Sequence, residues 1–300
     1  MRRLFALVAA GLFYASSPAA AEVRVFACEP EWAALAEEIG GDKVAAVSAT
    51  HARQNPHYIR ARPSLIAEAR AADMIFCSGA DLEVGWLPLL MARAGGDVQA
   101  GKAGNLMAAA VVPVLEKPVV LDRSLGDIHP EGNPHVHLDP RNIALVAEEL
   151  TRRLAMIDAA NAGFYRDRLK VFSVRWRKAM AGWEKQGAHL RGVPVVVHHQ
   201  SLSYLINWLG MERVGALEPK PGIPPTAAHL EGLLKELKGR RDVVIMRTAY
   251  DPDKAAEWLA EKTGLPAIVL PYTIGGDAEA GNLFALFDRT IALLTSAVPR

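Results

Sequence analysis

Apolar and polar positions alternate along this chain in two rhythms. Short apolar runs bounded by turn residues predict strands at Val23–Ala27, Val44–Val47 and Met74–Cys77, with another near Leu106–Val112. Between them, helical spacing predicts helices over Glu31–Ile39 and Pro63–Ala71. Residues 113–134, rich in Pro and Gly, read as a surface loop. Asp139 then offers a cap and Pro140 suits the first helical position. Ile143, Val146, Ala147, Leu150, Leu154 and Ile157 continue as one apolar stripe. A second helical pattern runs from Ala159 to Gln186 without proline, carrying Tyr165, Leu169, Phe172, Trp176, Met180 and Trp183. At 1.5 Å per residue it would extend roughly 40 Å, long enough to run along two lobes and join them. The strand–helix alternation then resumes. Strands are expected at Val193–His198, Val243–Arg247 and Ala267–Leu270, and helices at Leu202–Leu209, Thr226–Leu237, Asp253–Thr263 and Asn282–Leu294.

This pattern predicts an α/β protein of two Rossmann-like lobes with parallel sheets, joined by one long rigid helix. The expected division is an N-terminal lobe over 22–158, a linking helix over 159–187 and a C-terminal lobe over 188–300. Residues 1–21 stand apart. Arg2 and Arg3 precede an apolar stretch from Leu4 to Phe13, and Ala19-Ala20-Ala21 supplies an A-x-A cleavage site, so this segment is read as a secretory signal with Glu22 as the mature start. Export to the periplasm follows, and Cys28 lacks the setting of a lipoprotein cleavage site. The chain carries 34 basic and 33 acidic residues; without Arg2 and Arg3 the balance becomes 32 to 33. So even a balance gives no footprint for nucleic acid or an anionic membrane. Cys28 and Cys77 each end a predicted strand, and a disulfide or two buried thiols both fit.

The candidate chemistry lies in the histidines. Of the nine, seven fall in loops or at predicted strand ends: His51, His57, His129, His135, His137, His198 and His199. Ligands of parallel α/β lobes bind at the carboxyl ends of the strands, where these residues are expected. His57 lies between a strand and a helix, His135 just before a capped helix, and His199 after the run Val193–Val197. Asp277 follows the last strand in Gly275-Gly276-Asp277. Three imidazoles and one carboxylate, two from each lobe, would make a closed four-coordinate site suited to zinc. Adjacent strand residues face opposite sides, so His198 competes with His199 for the fourth corner.

Several segments resemble the zinc and manganese receptors of bacterial ABC importers (the cluster A-I solute-binding proteins). Asn55-Pro56-His57-Tyr58 with Arg62-Pro63-Ser64, then Ala72-Asp73 through Gly79, is similar to their "DPHxxxxxPS…AD…G" run. Pro134-His135-Val136-His137-Leu138-Asp139-Pro140 resembles their "PHxWLxP" segment, His199 through Leu205 their "HDAFGYF" segment, and Gly276-Asp277 their final carboxylate loop. The nearest subgroup by resemblance is the AztC-like zinc receptors (within the ZnuA/AztC-like group), which have a short loop similar to Asp127–Pro134 in place of a long His-rich one. The resemblance implies Zn2+ as transported cargo held between the lobes by His57, His135, His199 and Asp277. It also implies a membrane permease of an ABC importer as partner, a periplasmic zinc metallochaperone as a further candidate partner, and a monomer that is not an enzyme. Manganese as cargo and a periplasmic zinc hydrolase are the competing readings; no H-E-x-x-H motif supports the second. His137 stands where the pattern has Trp, and Gln200 where it has Asp. Affinity is expected to fall as pH drops through the imidazole range.

Overall fold

Central strands buried on both faces show no polar alternation, and that is how this chain writes them. Met74–Cys77 and Pro194–Val197 are buried at every position. A computed structural model of the protein describes residues 22–298, so the segment 1–21, expected to be a secretory signal, lies outside the described residues. The first lobe contains β1 (Val23–Ala27), α1 (Pro30–Gly40), β2 (Val44–Ser48), α2 (Pro63–Ala71), β3 (Met74–Cys77), α3 (Leu87–Met91) and β4 (Asn105–Met107). Two long helices follow, α4 (Pro140–Ile157) and α5 (Ala162–Gln186). The second lobe is β5 (Pro194–Val197), α6 (Ser203–Leu209), β6 (Glu212–Ala216), α7 (Ala227–Glu236), β7 (Val244–Thr248), α8 (Lys254–Thr263), β8 (Ala267–Leu270) and α9 (Leu283–Ala297).

The two sheets have the same wiring. Each is parallel, ordered β2-β1-β3-β4 and β6-β5-β7-β8, so each reverses direction beside its first strand. At that point the loops leaving neighbouring strands diverge and open a crevice at the carboxyl edge. The expected strand at Leu106–Val112 is shorter, because a 3-10 turn over Ala108–Val111 takes the chain off the sheet. Strand β6 and the five-residue α3 were not expected. Cys28 and Cys77, at the ends of neighbouring β1 and β3, are joined in a disulfide.

Helix α4 starts as its sequence dictates: the Asp139 carboxylate accepts from the Arg141 amide at 2.9 Å, with Pro140 in the first turn. Helix α5 is tied to both lobes. Trp176 Nε1 donates to Pro140 O at 2.7 Å and Arg168 Nε to Glu38 O at 2.9 Å, both on the first lobe's side. Trp183 Nε1 donates to Asp288 Oδ1 of α9 at 2.7 Å. Trp176 and Trp183 pack on Phe287 with ring centres 5.5 and 5.0 Å away. The largest apolar core runs unbroken from Val23 of β1 through Trp176 to Leu294 of α9. The lobes therefore share a core, and wide hinge opening would expose it.

Candidate metal centre

Two of the candidate ligands are presented by the same local device. In Asn55-Pro56-His57 and in Asn133-Pro134-His135, the asparagine Oδ1 accepts the amide of the histidine two residues on, at 3.0 Å in both. Proline cannot donate, so the Asx turn fixes the chain direction and presents the imidazole. Asn133 also donates to Glu116 Oε2 and to Gln200 O, each at 2.8 Å, which ties this turn to the second lobe. His199 leaves the end of β5 directly.

The three rings converge. Ring centres of His57, His135 and His199 lie 5.4, 5.7 and 5.8 Å apart, nearly an equilateral triangle. One nitrogen from each lies within 4.8 Å of the others. The second nitrogen of each ring touches a polar partner. His57 Nδ1 lies 2.8 Å from Asn55 Oδ1, an atom that already accepts the His57 amide and so can only accept. His199 Nδ1 lies 2.6 Å from the Glu218 carboxylate, and His135 Nδ1 lies 2.7 Å from the Tyr272 hydroxyl. Asn55 Oδ1 and the Glu218 carboxylate can only accept, so His57 and His199 carry their protons on Nδ1 and offer Nε2 lone pairs, the arrangement by which outer partners orient metal-binding imidazoles; the Tyr272 hydroxyl can accept from His135 in the same way. His135 Nε2 is buried with no hydrogen-bond partner.

Electrostatics keep the lone pairs free. Burial first, then the neighbouring imidazoles of His199 and His129, holds His57 well below the ordinary imidazole value. Burial and the imidazoles of His57, His199, His129 and His137 do the same for His135. Beside the rings lies a chamber of about 50 Å³ whose walls include His129, His135 and His199. Organic ligands need roughly 300 Å³ or more, so the chamber suits an ion.

The structure does not bring Asp277 into this group. Asp277 accepts the Glu279 amide at 2.8 Å and pairs with Arg289 Nε at 3.1 Å. The amide and then the guanidinium hold its carboxyl below the usual range. The turn carrying it is tight: a Cβ on Gly276 would meet Pro271 O at 1.9 Å, so only glycine fits. In the described structure its carboxylate is neutralised by Arg289 of α9 rather than turned to the three rings. His198 is likewise outside the group: its amide donates to Met246 O at 2.9 Å while its ring Nδ1 is buried without a partner. His137 faces Glu31 and the Tyr272 carbonyl instead.

Sequence reasoning assigned His129 no place in the ligand set, yet its Nε2 lies 3.2 Å from His57 Nε2. Tetrahedral zinc with bonds of about 2.0–2.1 Å holds its donors about 3.3–3.4 Å apart, so this pair is already at ligand spacing. His129 lines both the chamber and a larger outer cleft of about 710 Å³ that also carries Asp81, Asp122 and Asp127. Asn55, Glu218 and Tyr272 were also missed. The repeated Asn-Pro-His was the one signal that could have found an orienting residue. A second cluster, Cys28, Cys77 and Glu83, is closed by the disulfide.

The model of the zinc-uptake complex component A family, a periplasmic protein, matches residues 25–297. The chain belongs to this ZnuA family. It is 25% identical over 291 residues to the manganese ABC transporter substrate-binding lipoprotein PsaA of Streptococcus pneumoniae, covering 94% of this chain and 90% of that protein. It is 27% identical over 107 residues to the high-affinity zinc uptake protein ZnuA of Brucella abortus, covering 35% and 31%. A crystal structure of ZnuA superposes with a TM-score of 0.73 at 20% identity, covering 91% of this chain and 100% of that one. Members of the family are metal-binding receptors of ABC importers that work outside the cytoplasm with a membrane permease. Among the described residues, no helix is long and apolar enough to cross a membrane.

Proposed function

We propose that this chain is a periplasmic receptor that captures one Zn2+ and hands it to the permease of an ABC importer. The observation that carries this reading is the convergence of the trio: three imidazoles whose Nδ1 atoms rest on Asn55, Tyr272 and Glu218, with one ring nitrogen from each within 4.8 Å of the others. Three nitrogen donors favour zinc over manganese, which prefers oxygen. The fourth donor in this reading is Asp277, released from Arg289 by movement of the Gly275–Gly276 turn. His129, shared between the outer cleft and the chamber, meets the ion first. Three neutral imidazoles and one carboxylate leave the bound ion at net +1. A set of four protein donors leaves no position for an activated water, which speaks for binding and against hydrolysis. The segment 1–21 fits export, and the receptor acts as a monomer, with a periplasmic zinc metallochaperone as a source of metal.

Metal analysis of protein purified without added metal, followed by competition titration against a chelator, tests the assignment. Zinc should co-purify at one ion per chain. His57→Ala and His135→Ala should weaken it severely, Asp277→Ala less so. Unchanged affinity in all three variants, or co-purified manganese, refutes it.

A further inference from the structure

The residue that stands where the family pattern has Trp suggests a role for its neighbours. His137 Nε2 lies 3.0 Å from the carbonyl of Tyr272. A carbonyl only accepts, so Nε2 carries a proton and cannot bind metal. His137 Nδ1 lies 3.1 Å from the Glu31 carboxylate, and the other oxygen of Glu31 takes the hydroxyl of Thr273. All three side chains are buried. One dipeptide of the second lobe, Tyr272-Thr273, is thereby held at two points by the first lobe.

That hold has work to do, because Tyr272 sits at φ 65°, in the left-handed region that an aromatic residue rarely adopts. In that conformation its ring runs edge-on to both His135 and His137, with ring centres 5.7 and 4.8 Å away, and its hydroxyl reaches His135 Nδ1. A relaxed Tyr272 would swing the hydroxyl away from His135. The Tyr250 ring packs edge-on 5.0 Å away, and its hydroxyl is buried without a hydrogen-bond partner.

We propose that Tyr272 is a positioning residue for metal binding: pinned across the lobes by His137, Glu31 and Thr273, it accepts Nδ1–H of His135 and keeps the His135 Nε2 lone pair aimed into the chamber. The inference rests on the zinc-receptor reading for its consequence, but its first step concerns a ring tautomer that exists without metal. Without this acceptor the neutral ring can carry its proton on Nε2, and a metal must then displace it. Orienting partners of this kind are worth about 10–100-fold in affinity.

The test uses the full mature chain. In Tyr272→Phe, zinc affinity by chelator competition should fall about 10–100-fold. Long-range 1H–15N spectra of the metal-free protein should show His135 shifting from Nδ1–H toward Nε2–H, with melting close to wild type. A pin variant, His137→Phe, should weaken zinc as well, and the combined variant should be weaker by less than the product of the two factors, since both act through His135. Thr273→Val, which cuts the Glu31 contact alone, replaces His137→Phe should that variant not fold. Wild-type affinity in Tyr272→Phe, an unmoved His135 tautomer, or factors that simply multiply would overturn the proposal. A wild-type chain that binds no zinc would instead overturn the receptor reading, and the tautomer would still decide the role of Tyr272.

Discussion

Protons and zinc compete for the same lone pairs, so the site's pH profile follows from the environment of its rings. An imidazole with the ordinary value near 6.5 is about nine-tenths protonated at pH 5.5. Each such ligand would cost about elevenfold in apparent affinity there, or about a hundredfold for His57 and His135 together. Burial, reinforced by neighbouring imidazoles, holds both of these rings well below 6.5. They should stay neutral as pH falls through 6.5, and their share of the loss at pH 5.5 should be under tenfold. The same shift acts on stability in the opposite sense. The unfolded chain takes up protons below 6.5 while the folded one does not, so each ring withdraws up to about 1.4 kcal/mol of stability per pH unit until its own folded value is reached. Melting is a poor readout of this, because burial pushes Glu83 up to about 7 and that carboxyl stabilises the fold as pH drops. The assay is chelator competition at pH 7.5, 6.5 and 5.5, paired with 1H–15N spectra of the rings in metal-free protein. Rings of His57 and His135 that both protonate around pH 6.5, with a hundredfold loss of affinity by pH 5.5, would refute the reasoning.

Three further outcomes follow from the geometry. Replacing Glu218 by Gln keeps an acceptor near His199 but removes its charge, and should weaken zinc about tenfold by chelator competition, the low end of the effect of such partners. Arg289→Gln should release Asp277 and tighten zinc by up to about fivefold, the worth of a partly exposed ion pair; weaker or unchanged binding would remove Asp277 from the ligand set. Cys28→Ser with Cys77→Ser opens a loop spanning 49 residues and should cost about 4 kcal/mol in denaturant unfolding, with little change in zinc affinity of the folded protein.

Much of this architecture was legible because its strongest elements are locally determined. The strands β3 and β5 are apolar at every position, Asp139-Pro140 announces α4, and the aromatic spacing of α5 survives as its packed face. The edge strand β6 was invisible because Glu212 and Arg213 are exposed and Gly215 interrupts any alternation. Its place in the sheet comes from pairing with β5, which no local pattern encodes. His57 and His135 were legible as loop histidines at strand ends. The choice between His198 and His199 was not, since it turns on which side of β5 faces the Glu218 loop. The pairing of Asp277 with Arg289 was illegible for a similar reason: the two sit a dozen residues apart, Arg289 on α9, and only the fold brings them together. Tyr272 reaches His135 across 137 positions of sequence, a distance over which periodicity carries no information.

The unbroken apolar interior beneath both sheets has a thermodynamic consequence. Neither half can lose its packing while the other keeps its own, so heating should produce one cooperative transition rather than two. Any ion gripped from both sides then delays that single event by an amount set by RT ln(1 + [L]/Kd), a shift of about 2.7 kcal/mol at a hundredfold excess over Kd. The melting midpoint becomes a gauge of occupancy for the whole molecule, and cargo identity can be ranked by it ion by ion.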